Sequence, residues 1–404
     1  MIIGVLALGA CSDDAETAPP EPGDEQSATQ ESDGTTTTGP DEPVVTTTVA
    51  DAATTSTDAT APDATTPAGG GFDEIDATLA DLVDQNGLSG AGLVLVDRDD
   101  GIVHESYAGE FSADRVSLIA SSSKMISAGV LLHLADAGLL DIDAPLADLV
   151  DWAGDGADIT VAQMLSNSSG LVGLGPDPAY QPYLCQFIPG DEIENCAASA
   201  LATDGDDDDV IPPDTAFRYG GMQWQIAGAV AEAVSGRTWA ELIEEIYVEP
   251  CRVDSLGYTN HWFELGEDHP DRFDPSSRTP TENPQIEGGG YITAPDYAEL
   301  LLMILRDGTC GDEPILSATA LESMLSDRVG ETYGDAGDPA TGYGMGWWVE
   351  RDTPYVHDAG LYGARPWLDL EDGYGAYLVV EADGSVGGRF YEELRPLVDA
   401  AMTS

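Results

Sequence analysis

The rhythm of apolar positions divides the chain into parts. From Ser12 to about Phe72 bulky apolar side chains are almost missing: the stretch is Thr, Asp, Glu, Pro and Ala, and it closes on Gly69-Gly70-Gly71. It cannot bury enough surface to offset its ordering entropy, so residues 12–72 are expected to form a disordered, self-repelling linker. Beyond it, Ile75, Leu79 and Leu82 recur at helical spacing up to Asn86-Gly87. Gly92-Leu93-Val94-Leu95-Val96 and Ile102-Val103 read as a hairpin around residues 97–101. A helix over about 122–137 places Ile126, Val130 and His133-Leu134 on one face. Thr238 and Glu241 make a capping box for a helix that ends before Pro250. Pro295 sits in the first turn of another helix, carrying Leu300, Leu301, Ile304 and Leu305. Late strands are expected over 346–350, 355–357 and 374–380. Strands at both ends with helices between predict an α+β domain over 73–404 rather than a doubly wound one.

Composition adds constraints. Lys and Arg number 14 against 75 Asp and Glu, a formal charge of −61. Nucleic-acid binding by phosphate neutralisation is thereby excluded, since no basic patch can be assembled. Residues 1–10 are apolar and run into Leu8-Gly9-Ala10-Cys11, which resembles a bacterial lipoprotein signal peptide although the usual positive n-region is missing. The resemblance implies a signal over 1–11, lipidation of Cys11, and an extracytoplasmic protein held at the membrane by that anchor alone. The four further cysteines suggest two disulfides outside the cytoplasm, most simply Cys185–Cys196 and Cys251–Cys310. No zinc-type Cys or His spacing is present, and the acidic run 204–209 lacks the Gly and Glu spacing of an EF-hand loop, so neither metal nor cofactor is expected.

The 14 basic residues are 13 Arg and one Lys, Lys124. It lies three positions after Ser121, at the opening of a predicted helix, so both side chains share a face. A serine hydroxyl is a poor nucleophile until a base takes its proton, and burial turns an ammonium group into a usable base. Backbone N–H groups at the helix start can hold a developing oxyanion.

Ser121-Ser122-Ser123-Lys124 at a helix start, after a helix and two strands, resembles the serine β-lactamase and penicillin-binding protein superfamily, and more closely its class C-type, esterase-like branch. Further segments fall in that family's order: Asp158 to Leu171, Phe217-Arg218-Tyr219, Gly288 to Ala294, and Tyr343 to Trp348. The resemblance implies a β-lactamase/transpeptidase-like fold, an antiparallel sheet flanked by helices plus a mainly helical subdomain. It implies Ser121 as the acylated nucleophile, Lys124 as its activating partner and Tyr219 as a second base, a phenolate sustained by a nearby cation. His357 would stand in the place of the Lys-Thr-Gly strand, often His-x-Gly in this branch, and the N–H groups of Ser121 and Gly360 would form the oxyanion hole.

Two departures shape the functional expectation. The family's Tyr-x-Asn reads Tyr219-Gly220-Gly221 here, removing the amide that recognises an acylamino side chain, and His-x-Gly reads His357-Asp358-Ala359. An ester- or amide-cleaving serine hydrolase is therefore expected. A D-alanyl-D-alanine carboxypeptidase and a non-catalytic cell-wall peptide-binding module are the alternatives. The insertion between Leu171 and Pro213 is expected to line or cover the cleft.

Overall fold

The computed structural model describes residues 71–154, 157–174, 180–204, 207–262, 273, 274, 276, 281–333 and 339–404. Cys11, the expected signal and all but the last two residues of the expected linker lie outside the described residues, as do Gly205 and Asp206 of the acidic run.

Helix α1 (Asp73–Asn86) opens the body and stops at Gly87, whose φ of 63° is the left-handed conformation that glycine adopts without a Cβ penalty. Strands β1 (Gly90–Asp97) and β2 (Gly101–Gly109) form the expected hairpin. After β3 (Val116–Leu118) a 3₁₀ turn, Ala120–Ser122, leads into α2 (Ser123–Asp136). A helical region follows, including the helices Ile193–Asp204 and Met222–Ser235, before the short β4 (Gly257–Tyr258) and β5 (Gly290–Thr293). The helix Ala294–Leu305 and the ribbon β6 (Thr309–Cys310) and β7 (Glu313–Pro314) precede the late strands. These are β8 (Thr341–Tyr343), β9 (Trp348–Glu350), β10 (Tyr355–His357), β11 (Arg365–Asp369) and β12 (Tyr374–Val379), followed by a C-terminal helix, Gly384–Met402.

The main sheet runs β2-β1-β12-β11-β10-β9-β8, with every pair antiparallel. Its first and last strands in sequence therefore meet inside it, where β1 pairs with β12 from Gly92↔Val379 to Asp97↔Tyr374. The α+β reading holds: the helical region is inserted between the two strand groups.

Strand β1 is apolar on both sides because both sides are covered. Leu93 and Leu95 turn to a layer containing Ile75, Leu79 and Val83 of α1 with Phe390, Leu394 and Val398 of the C-terminal helix. Val94 and Val96 turn to the opposite layer, with Met125, Ile126 and Val130 of α2. Each large apolar side chain so buried contributes roughly 1.5–3 kcal/mol. Disulfides join Cys185 to Cys196, on the helix Ile193–Asp204, and Cys251 to Cys310, in the expected pairing. No helix among the described residues is long and apolar enough to cross a membrane.

Candidate active site

The turn that carries Ser121 is fixed from several directions. Strand β3 pairs with β5 from Val116↔Thr293 to Leu118↔Tyr291, and the Ile119 N–H donates to the Gly290 carbonyl at 3.0 Å. Ala120 then takes a φ of 46°, a left-handed conformation that a residue with a Cβ adopts only at some cost. Three tyrosine hydroxyls donate to carbonyls of the turn and the following helix: buried Tyr297 to Ser122 at 2.9 Å, half-buried Tyr258 to Ser123 at 3.1 Å and buried Tyr247 to Ile126 at 3.0 Å. Glycine is required at Gly129, where any Cβ would collide with the Tyr247 hydroxyl.

Held in this way, Ser121 is partly exposed while Lys124 is 1% exposed. The Lys124 ammonium donates to Ser121 Oγ at 3.2 Å and to the Glu287 carbonyl at 2.9 Å. It also sits 4.7 Å from the Tyr219 ring centroid. The Tyr219 phenol is turned toward the Ser121 hydroxyl, which favours its ionised form. The structure thus brings Ser121, Lys124 and Tyr219 together. Burial lowers the Lys124 pKa to about 8, against the upward pull of the Glu287 and Asp358 carboxylates. At mildly alkaline pH a large fraction is therefore a neutral amine, one hydrogen bond from the serine.

Tyr219 behaves otherwise than the family resemblance implied. Burial holds its phenol well above the ordinary value, and the Asp358 and Glu287 carboxylates add to the rise, outweighing the opposing effect of the Ser121 hydroxyl. A protonated phenol, able to donate, is what this environment favours; the expected phenolate is not. Its ring stacks on Trp348 at 5.9 Å, and Phe217 and Tyr343 complete an aromatic wall beside it.

His357 is not in the cleft. It ends β10, and its neighbours Val356 and Asp358 have the opposite side-chain direction. The His357 ring lies 6.1 Å from Tyr391 of the C-terminal helix, and its cross-strand partner Trp367 belongs to the layer of α1 and that helix. Burial lowers its pKa to about 4, with Arg365 and Arg395 adding and Glu350 opposing. It is a neutral packing residue on the far side of the sheet.

The side chain that faces Lys124 from this segment is Asp358, 0% exposed. Burial raises its pKa to about 7, with Lys124 opposing most strongly. Neither carboxylate oxygen has a hydrogen-bond partner of normal geometry; the N–H of the adjacent Ala359 is the donor turned toward it. Gly360 sets the frame of this segment, because a Cβ there would collide with the Ile119 carbonyl. Asp358-Ala359-Gly360 therefore occupies the Lys-Thr-Gly frame, one residue later than the His-based alignment. In an extended chain a slip of one residue exchanges the two faces. The Gly360 oxyanion assignment is corrected as well: its N–H donates to the Ala364 carbonyl at 2.9 Å, as the Asp358 N–H does to Pro366 at 3.0 Å. Both groups are spent inside the sheet.

The tyrosine motif is remodelled too. Any Cβ at Gly221 would collide with Gln186 Oε1 and would lie 2.7 Å from Glu287 Oε1. Where the family motif has asparagine, the room is taken by a glutamine from the 171–213 insertion and a glutamate from the loop before β5. That insertion therefore reaches the cleft, as its position in the sequence led us to expect. Gln186, Glu287 and Asp358 were not identified from sequence, because each acts through a distant segment or a strand frame. Among the described residues, no group of three or more His, Cys, Asp or Glu side chains is arranged to hold a metal ion.

The arrangement is that of a β-lactamase-related serine hydrolase. The Beta-lactamase family model matches residues 75–398, and the chain belongs to that family. It is 25% identical over 336 residues to penicillin-binding protein 4 of Amycolatopsis lactamdurans, covering 76% of this chain and 84% of that one. It is 24% identical over 357 residues to the lovastatin esterase of Penicillium rubens, covering 75% and 84%. Among solved structures, EstCE1, a hydrolase with promiscuous acyltransferase activity, superposes with a TM-score of 0.64 at 17% identity, covering 81% of this chain and 100% of the other.

Proposed function

We propose that the protein cleaves ester or amide bonds through a Ser121 acyl-enzyme. One observation carries this reading: the lone lysine, buried, lies 3.2 Å from the serine hydroxyl and is shifted toward its neutral form. Neutral Lys124 takes the Ser121 proton as Oγ bonds to the substrate carbonyl carbon. When the tetrahedral adduct collapses, the carbonyl-to-leaving-group bond breaks and the departing oxygen or nitrogen receives a proton from the Lys124 ammonium. Tyr219, kept as a phenol beside Ser121, relays it: its own proton goes to the departing atom and the Lys124 proton replaces it. Water then attacks the acyl carbon, losing its proton to Lys124, and Ser121 Oγ leaves with one.

The negative oxygen of the adduct is held by the Ser121 N–H and by a second donor on the segment continuing from β10. With the N–H groups of Asp358 and Gly360 both donating to carbonyls, we assign that role to the N–H of Leu361, which opens the turn after Gly360 and is 45% exposed. In the same reading Cys11 carries a lipid and the chain works outside the cytoplasm, supported by the apolar residues 1–10 before that cysteine. Detergent phase partition of the native protein and of Cys11→Ala tests the anchor.

Incubation with a fluorophosphonate followed by intact mass tests the chemistry. One adduct on the wild type and none on Ser121→Ala is expected. A wild type that never labels and turns over no activated ester would instead favour a binding module on the same fold.

A further inference from the structure

Resting on that acyl-enzyme reading, we propose that the cleft selects acyl groups carrying a positive charge, with Glu287 as the specificity-determining residue.

Beside the donors Lys124 and Tyr219, the cleft holds buried acceptors that lack a donor. Glu287 stands beside Gly221 of the tyrosine motif, and its Oε2 is buried without a hydrogen-bond partner. Gln186, 5% exposed, directs its own unpartnered Oε1 to the same spot against Gly221. Asp358, just past the end of β10, borders Lys124, fully buried, with neither carboxylate oxygen holding a hydrogen-bond partner of normal geometry. Four buried acceptor atoms thus stand without donors around Gly221 and Lys124. The carboxylates of Glu287 and Asp358 both act on Lys124.

A buried acceptor without a donor costs about 1–3 kcal/mol, and a carboxylate more. A ligand that brings a donor or a positive charge relieves that cost, whereas a carboxylate-bearing ligand adds to it. Lys124 cannot itself satisfy Glu287, because its hydrogen bond goes to the Glu287 carbonyl, not to the side chain. Relief at Glu287 therefore falls to the bound acyl group, on the side where the family motif has its asparagine.

The test compares two esters of one shape, p-nitrophenyl 4-(trimethylammonio)butyrate and p-nitrophenyl 5,5-dimethylhexanoate. They are measured on the full chain at pH 8.5 in 1 M NaCl. High salt shortens the screening length to about 3 Å, so attraction by the −61 surface drops out and the local term remains. A kcat/KM ratio of about tenfold or more in favour of the cation is expected, falling to within about twofold of unity in Glu287→Gln; tenfold corresponds to about 1.4 kcal/mol. A wild-type ratio at or below unity overturns the proposal, as does a high ratio that Glu287→Gln leaves in place. Should Glu287→Gln fail to fold, Glu287→Asp takes its place, and a lower ratio is again expected. Calorimetric titration of Ser121→Ala with the same two esters reads selection without chemistry. A wild type inactive on both esters contradicts the acyl-enzyme reading alone, and equal affinities in that titration contradict the present one alone.

Discussion

The two faces of the main sheet carry charge in opposite ways. On the face under α1 and the C-terminal helix, ionised groups find each other. Arg395 donates to Glu350 at 2.6 Å and to the Tyr391 hydroxyl at 2.6 Å, Tyr374 donates to Asp399 at 2.9 Å, and His357 sits neutral among them. On the cleft face, Asp358 and Glu287 keep buried oxygens without partners, and the one lysine is pulled below its ordinary pKa. The first pattern is what a protein does to hold itself together, since satisfied pairs rigidify and cost little. The second destabilises the empty fold and becomes useful only when chemistry or a ligand completes it. His357, which ends β10, and Asp358, the next residue along, belong to the two patterns.

The contrast is broken most severely at the lysine. Lys124→Arg keeps a positive charge but cannot give up its proton at working pH, so kcat/KM for an activated ester should fall by about 10²–10⁴-fold. Steady-state hydrolysis by a folded variant measures this; wild-type turnover would remove Lys124 from the role of base.

Asp358→Asn tests the cost of the cleft face. The carboxyl titrates near its ordinary value when unfolded but at about 7 in the native protein, so the folded state binds the extra proton between these values. Stability contributed by that proton is lost as pH rises through 7. The Asn variant should therefore be more stable than wild type at pH 8, by about 1–3 kcal/mol, and nearly equal to it below pH 4. Denaturant melts at the two pH values measure the difference, and equal destabilisation at both would contradict the assignment.

The smallest effect on activity is expected from His357→Gln, with kcat/KM within about threefold of wild type and a stability loss of about 1 kcal/mol at pH 8. Its native pKa is depressed to about 4, so the neutral ring stabilises the fold above pH 6.5 and that contribution fades as pH falls toward 4. The variant should show a flatter stability profile over that window. A collapse of activity would return His357 to the cleft.

What the sequence made legible was local. Ser121 and Lys124 are three positions apart at a helix start, so spacing brought out that pair, and the family resemblance of Phe217-Arg218-Tyr219, just ahead of the helix Met222–Ser235, brought out Tyr219. The capping box at Thr238 and Glu241 was legible for the same reason and is formed. The exchange of His357 for Asp358 was not, because the frame of β10 is set by contact between Gly360 and Ile119, 241 positions away in the chain. Glu287 and Gln186 meet at Gly221 only through folding, and no periodicity announces them. Strand β11 was hidden by Pro366, and the C-terminal helix by Gly384, Gly387, Gly388 and Pro396, residues that interrupt helical or strand patterns elsewhere. Its apolar stripe Phe390, Leu394 and Val398 emerges once the sheet it covers is known.

The central claim, that neutral Lys124 takes the proton of Ser121, is tested most directly by the rate of Ser121 phosphonylation as a function of pH, followed by mass. The rate should rise with pH about a midpoint near 8, the value to which burial lowers the lysine, and this limb should vanish in Lys124→Met. A rate that does not change between pH 6 and 10, or the same limb in the Met variant, would contradict it.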